Sequence, residues 1–355
     1  MRIGVPKETK TLEGRVALVP EAAGDLVKRG HEVWLEQGAG LKSGFADELY
    51  SRLGVNIAPD AAALYEKGEM IVKVKEPIAG DLQHLRKDHL LFCYLHLAAE
   101  PALTRQLLDI GLTGVAFETV ELPNGDLPLL APMSVIAGKI AVQVGTTLLH
   151  MPQGGKGKLL GGLPSTQRGK VVVFGAGKAG GASAALAAAG GANVTVFEMR
   201  QDRMDEMMAL GPNVTALYPY HDVVAREVAS ADLVVGAVLV TGAKAPRVLT
   251  REMLKGMEPG SVLVDISIDQ GGCFETSRPT SWKEPTYVEE GVTHFCVTNM
   301  PGSVPQTSSQ AICAAILPWV NGLALGQWRD NAALVRGVNV ENGQIVHPAL
   351  QGMAL

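Results

Sequence analysis

Short apolar runs rich in Val, Ile and Leu alternate along the chain with segments whose apolar positions recur every three or four residues. The runs "RIGVP", "HEVWLEQ", "VNIA", "MIVKVK", "HLLFCYLH" and "LTGVAFETV" read as strands. Between them "PEAAGDLVKRG", "ADELYSRLG", "DAAALYEKG", "AGDLQHLR" and "ALTRQLLDIG" carry the helical spacing. Alternation at this interval predicts a mostly parallel sheet covered by helices on both faces.

Residues 133–152 predict a longer helix, and the Gly- and Lys-rich "QGGKGKLLGGLPSTQRG" that follows predicts a loop. Its glycines and lysines lack the G-x-x-x-x-G-K-[ST] spacing of a P-loop. A second α/β series starts at Gly169: strand "KVVVFGAG", helix "KAGGASAALAAAGG", strand "NVTVFE", then strands in "ADLVVGAV" and "SVLVDISI". After "THFCVTNMPG" the pattern turns helical from about Gln306 to Trp328. The last stretch is too short for a domain of its own, so it is expected to pack back on the first. The expected layout is a discontinuous first domain, residues 1–130 and 305–355, with a second domain, residues 131–304, inserted into it.

Composition narrows the class. The 355 residues suffice for two domains. A net charge of −5 gives no electrostatic reason to expect nucleic acid. The charged N-terminus lacks the apolar core of a signal peptide. The best membrane candidates, residues 131–152 and 311–326, contain Lys139 and Gln143, and Pro318 and Asn321. Cys93, Cys273, Cys296 and Cys313 form no C-x-x-C pair and read as reduced, packed thiols of a cytoplasmic protein. His84, His89, His150, His221, His294 and His347 show no metal-ligand spacing, and no metal is assigned.

In "VVVFGAGKAG", Gly175, Gly177 and Gly180 match G-x-G-x-x-G between a predicted strand and helix. The first glycine permits the tight turn, the second lets backbone approach a pyrophosphate, and the third lets helix and strand pack closely. The helix N-terminus then offers N–H groups to phosphate. Glu198 ends the next strand, where a carboxylate accepts bonds from ribose hydroxyls. An acid there disfavours a 2′-phosphate, so NAD is expected over NADP, with Arg200 and Arg203 pulling slightly the other way.

Four polar residues stand at predicted strand ends. Arg15, Lys75 and His96 lie in the first half and Asp269 in the second. Carboxyl ends of strands are where ligands sit in open α/β sheets. Two cations suit a small carboxylate substrate, and a histidine with an acid suits proton transfer. Each has a plainer reading. Lys75 follows Lys73 in alternation, as on a solvated edge, and His96 closes an apolar run like a buried structural histidine. Arg15 fits a surface ion pair, and Asp269 before Gly271 and Gly272 fits turn chemistry. Residue types at this spacing leave these alternatives open.

At these residues the sequence resembles the alanine dehydrogenase family, which also holds the NAD(H)-binding subunit of proton-translocating transhydrogenase. The segments carrying the likeness are "MRIGVPKETKTLEGRVALVP", "VKVKEP", "YLHLA", "LAPMSVIAGKIAVQ", "VVVFGAGKAG", "LVTGAKAPRVLT", "VDISIDQGGCFETSRPT" and "NMPGSVPQTSS", spread over nearly the whole chain. The resemblance implies two Rossmann-like, doubly wound α/β domains flanking a cleft, in a homohexamer. It implies reversible oxidation of L-alanine by NAD to pyruvate and ammonium. It places Arg15 and Lys75 on the substrate carboxylate and carbonyl, makes His96 the acid/base and sets Asp269 beside the reacting carbon. Cofactor contacts are implied for Ser134, Lys178, Ala179, Glu198, Arg203, Val238, Leu239, Ile266, Ser267, Ile268, Asp269, Arg278, Val297, Thr298, Asn299 and Met300, alongside Gly175, Gly177 and Gly180.

Three alternatives differ in readable features. A transhydrogenase subunit typically has Arg-Ala-Gln where this chain reads Ala131-Pro132-Met133-Ser134. A saccharopine- or opine-type dehydrogenase needs room for a larger substrate. A non-enzymatic NAD-binding scaffold would keep Glu198 and the glycines without needing Lys75 or His96. The Gly- and Ala-rich helix after the fingerprint is expected to pack softly, and Glu198 stands where the resemblance leads one to expect Asp.

Overall fold

A computed structural model describes residues 1–238 and 245–353. The chain divides into two compact units, Met1–Met133 with Gly302–Leu355, and Ser134–Pro301. In chain order the strands are β1 (Arg2–Val5), β2 (Glu32–Glu36), β3 (Asn56–Ala58), β4 (Met70–Val72), β5 (Leu90–Cys93), β6 (Thr113–Ala116) and β7 (Lys170–Phe174). There follow β8 (Asn193–Phe197), β9 (Val214–Leu217), β10 (Leu233–Gly236), β11 (Val262–Asp265), β12 (Thr286–Glu289), β13 (Val292–Phe295), β14 (Val338–Glu341) and β15 (Gln344–Ile345).

Among the described residues the first unit holds an eight-stranded sheet in the order β15-β14-β6-β5-β4-β1-β2-β3. From β3 to β6 all pairings are parallel, linked by helices such as Pro20–Lys28, Ala61–Lys67 and Pro101–Ile110. Both faces are covered, so β4 reads as a continuous apolar run and is buried throughout. Phe117 is clamped edge-on by Phe92 and Tyr94, with ring centroids 4.5 and 5.0 Å away.

The C-terminal segment completes this unit. β14 adds antiparallel to β6, and the helix Pro305–Ala324 accepts backbone bonds from the first loop: Val16 N–H donates to Ser309 Oγ at 2.9 Å and Val19 N–H to Cys313 Sγ at 3.3 Å. This helix runs through Pro318 but stops four residues before Trp328, because Gly326 takes a left-handed φ of 79°. Trp328–Asp330 is a separate 3₁₀ turn. No helix among the described residues is long and apolar enough to cross a membrane.

Among the described residues the second unit holds a seven-stranded sheet, β12-β13-β11-β10-β7-β8-β9, parallel except for the β12–β13 hairpin. Both sheets share the doubly wound core order 3-2-1-4-5, extended by β6 in the first and by β13 and then β12 in the second, with the direction of winding reversing beside the first strand: between β1 and β4, and between β7 and β10. The helix Lys178–Ala189 packs tightly rather than softly. A Cβ on Gly180 would lie 1.8 Å from the Gly175 carbonyl oxygen, and one on Gly138 2.1 Å from that of Ala179. Ser183 Oγ closes the same contact by donating to Gly138 O at 2.8 Å. The small residues are what lets this helix lie against β7 and the helix Ala131–Leu148 at backbone distance.

Candidate active site

In the first unit the residues singled out from sequence gather beyond the carboxyl ends of three neighbouring strands. Arg15 lies in the loop after β1, Lys75 follows β4 and His96 follows β5. This edge contains the topological switch point, the usual ligand position of the fold. A small crevice there is lined by Lys7, Glu8, Glu13, Gly14, Arg15 and Lys42, among others.

Arg15 is not a surface residue. It is 2% exposed, and its Nε donates to Glu13 Oε1 at 2.7 Å while Nη1 reaches Met133 Sδ at 3.2 Å. Burial works against its charge, but Glu13 outweighs it and raises the guanidinium pKa above the ordinary value.

Lys73 and Lys75 are not solvated edge residues either. Lys73 is 1% exposed, with Nζ 3.0 Å from Glu8 Oε2 and 3.5 Å from Asp81 Oδ2. Burial lowers its pKa, yet Glu8 and Asp81 together push it up. Glu8 Oε1 meanwhile accepts Val74 N–H at 2.7 Å and Lys75 N–H at 3.3 Å. Burial raises the Glu8 pKa against the pull of Lys73. The backbone of Lys75 is thus tied to the loop after β1. Its ammonium lies 3.7 Å from Glu76, whose carboxylate also pairs with Lys10. Burial alone would push the Glu76 pKa up, but Lys75 and Lys10 hold it below the ordinary carboxylate range.

His96 is half open to solvent, with a left-handed backbone (φ 51°, ψ 32°). Its ring stacks on Tyr94 at 5.7 Å and 7°. Glu118 Oε1 accepts His96 N–H at 2.6 Å and stands 3.9 Å from Nδ1.

The second group lies in the other unit. Residues 175–180, Glu198, Val238, 266–269 and 297–300 follow the carboxyl ends of β7, β8, β10, β11 and β13. Gly175 takes φ 91°, and a Cβ there would meet Ala237 O at 2.7 Å. The first turn of Lys178–Ala189 receives no side-chain cap from Gly177, and the leading N–H groups of a helix have no intrahelical acceptor. Glu198 accepts Ala176 N–H at 2.9 Å and Met199 N–H at 2.7 Å, with Arg203 Nη1 at 3.9 Å. Burial would raise its pKa, but these N–H groups and Arg203 hold it low, so it is an anion. Arg200 turns to Asp202 instead.

Asp265, unremarked in the sequence, is fully buried and accepts Ser267 N–H and Cys273 N–H, both at 2.9 Å. It shapes the 3₁₀ turn Ile266–Gln270. Ser267 Oγ then donates to Val238 O at 2.8 Å. Asp269, exposed on this turn, accepts Asn299 N–H at 3.4 Å. Arg278 lies 3.8 Å above the Tyr287 ring. Ser134 sits in the first turns of Ala131–Leu148, and Val297 and Met300 are buried beside Thr298 and Asn299. Leu239 lies outside the described residues.

Glu8, Glu13, Lys73 and Glu118 were not legible as site residues. The available signal was acids and a second lysine within a few positions of Arg15 and Lys75; for Glu118 only the pairing of β5 with β6 reveals the contact.

The N-terminal domain described as "Alanine dehydrogenase/PNT" matches residues 4–137, and the C-terminal domain of the same description matches residues 141–348. The chain belongs to the alanine dehydrogenase/PNT family. Within this family the alanine dehydrogenase of Halomonas elongata is 46% identical over 99% of this chain and 96% of its own length. That of Bacillus subtilis is 45% identical over 99% and 94%. A solved L-alanine dehydrogenase superposes with a TM-score of 0.95 at 47% identity, covering 99% of this chain and 98% of the other. A transhydrogenase structure from Sinorhizobium meliloti gives 0.85 at 26% identity, covering 98% and 100%.

Proposed function

We propose that the chain is an L-alanine dehydrogenase, converting L-alanine and NAD⁺ reversibly to pyruvate, ammonium and NADH. The observation that carries this reading is the likeness to relatives of that activity at 45–46% identity over 99% of the chain, supported by the position of Arg15, Lys75 and His96 after the neighbouring strands β1, β4 and β5.

Residues 1–130 and 305–355 take the substrate role, and residues 131–304 the cofactor role. The second sheet fits a dinucleotide: Gly175 and Gly180 have no room for a side chain, the helix after them is uncapped, and Glu198 is an anion at the end of β8. Gly175, Gly177, Lys178, Ala179 and Gly180 would hold the pyrophosphate and Glu198 the ribose, with Ser134, Arg203, Val238, Leu239, residues 266–269, Arg278 and residues 297–300 completing the contacts. When bound, NAD⁺ supplies the acceptor for the hydrogen and electron pair lost from Cα. Glu198 disfavours a 2′-phosphate, and the engagement of Arg200 by Asp202 removes one of the two charges that would favour it.

Arg15 binds the substrate carboxylate and Lys75 polarises the carbonyl of pyruvate. His96 takes a proton from the alanine ammonium or from the attacking water and returns one to the departing amine. Asp269 holds the water or amine and offsets the positive charge of the iminium formed at Cα.

The test follows NADH absorbance with NAD⁺ and L-alanine, then with NADP⁺, D-alanine, glycine, L-serine and L-lysine. NADH from L-alanine and close analogues supports the reading. NAD⁺ binding with no amino acid oxidised would sink it and leave the first unit as a docking module. A cytoplasmic homohexamer is the expected form; sedimentation as a monomer or dimer would count against it.

A further inference from the structure

We propose that Glu118 is the positioning residue for His96: one carboxylate captures the backbone of residues 95 and 96 and so holds the imidazole in its left-handed turn. The proposal rests on the acid/base role given to His96 above.

The contact follows from register. Cys93 of β5 pairs with Ala116 of β6, so residues two beyond each strand end, Leu95 and Glu118, come side by side. Glu118 Oε1 accepts His96 N–H at 2.6 Å and Leu95 N–H at 3.2 Å, and Oε2 accepts Leu95 N–H at 3.3 Å. The Glu118 side-chain oxygens thus supply acceptors for two N–H groups that have left the β ladder.

The captured conformation needs such a hold. His96 has φ 51°, a region that non-glycine residues enter only when their surroundings over-determine them, and such residues cluster at working sites. Glu118 is itself well placed to impose it. Phe117 before it is fully buried between Phe92 and Tyr94, and Thr119 after it receives Asn339 Nδ2–H at 2.6 Å. The ring is fixed from its other side by Tyr94, which stacks at 7° and donates its own hydroxyl to Leu129 O at 2.6 Å. With Glu118 Oε1 on the Nδ1 side at 3.9 Å, Nε2 is the nitrogen left to exchange protons with substrate.

Capture of backbone and simple charge make opposite demands. Glu118→Gln keeps an acceptor oxygen at the same reach without the charge. Glu118→Asp keeps the charge but withdraws it by about one C–C bond, about 1.5 Å. The experiment measures kcat and KM for pyruvate reduction in Gln, Asp and Ala variants, with amide hydrogen exchange at Leu95 and His96. Ala is expected to lower kcat by about tenfold or more with KM within about threefold, as a misplaced catalytic group does. Gln should recover most of the loss, Asp should remain near Ala, and amide protection should fall in the same order. Asp equal to or better than Gln, an unimpaired Ala variant, or a loss carried by KM would overturn the proposal. If Ala does not fold, the order of Gln and Asp still decides. If the unaltered protein reduces no pyruvate, the functional reading fails, and the exchange order at Leu95 and His96 alone decides the role of Glu118.

Discussion

Replacing Lys73 by Met tests the buried charge network beyond the carboxyl ends of β1 and β4. Lys73 Nζ lies 3.0 Å from Glu8 and 3.5 Å from Asp81, all three nearly inaccessible to water. At an effective dielectric near 20, each contact contributes about 5 kcal/mol of attraction, most of it offset by desolvation. Removing the ammonium leaves two buried carboxylates, and orphaning a buried charge costs about 3–5 kcal/mol. Three contacts moderate the figure: Val74 N–H still serves Glu8, while Tyr65 OH and Ile78 N–H serve Asp81 at 2.8 and 2.9 Å. A loss of about 3 kcal/mol is therefore expected, which moves a urea midpoint by about 1 M at a slope near 3 kcal/mol/M. Glu8 already has a raised pKa and can take up a proton, so the loss should shrink as pH falls from 7 to 5. Adding Glu8→Gln should restore part of the stability. A shift below about 0.3 M, or the same shift at both pH values, would refute the reasoning.

The other expectations are more local. His96→Ala and Asp269→Ala should each lose most of kcat; retention of more than about a tenth, a deficit of only about 1.4 kcal/mol, would remove that residue from its assigned role. Gly180→Ala places a methyl 1.8 Å from a carbonyl oxygen, so NAD⁺ affinity by fluorescence quenching should fall by about tenfold or more, and an unchanged Kd would contradict the close packing. Glu76 has a folded pKa below its unfolded one, so its contribution is full above the ordinary carboxylate range and disappears as pH falls through the folded value. The Tm advantage of the unaltered protein over Glu76→Gln should thus be largest near neutrality and narrow towards pH 3; an advantage growing towards acid would reverse the sign.

The sequence by itself determined the local and the periodic. Alternating apolar runs and helical spacing specify the parallel α/β series, because strands buried on both faces must be apolar throughout. G-x-G-x-x-G after "VVVF" marks the tight strand-to-helix turn, because only glycine fits at Gly175 and Gly180. Long, unusual segments such as "VDISIDQGGCFETSRPT" carry the family. Tertiary structure alone decided which polar residues share an environment. Lys73 alternates with Lys75 like an edge residue, and only the pairing of β1 with β4 buries it between Glu8 and Asp81. Arg15 reads as a surface cation until Glu13 folds onto it. Glu118 is 22 positions from His96, and strand register brings them together. Hydrophobic pattern acts between neighbours in sequence, whereas desolvation and charge pairing depend on distances in space that no local spacing encodes.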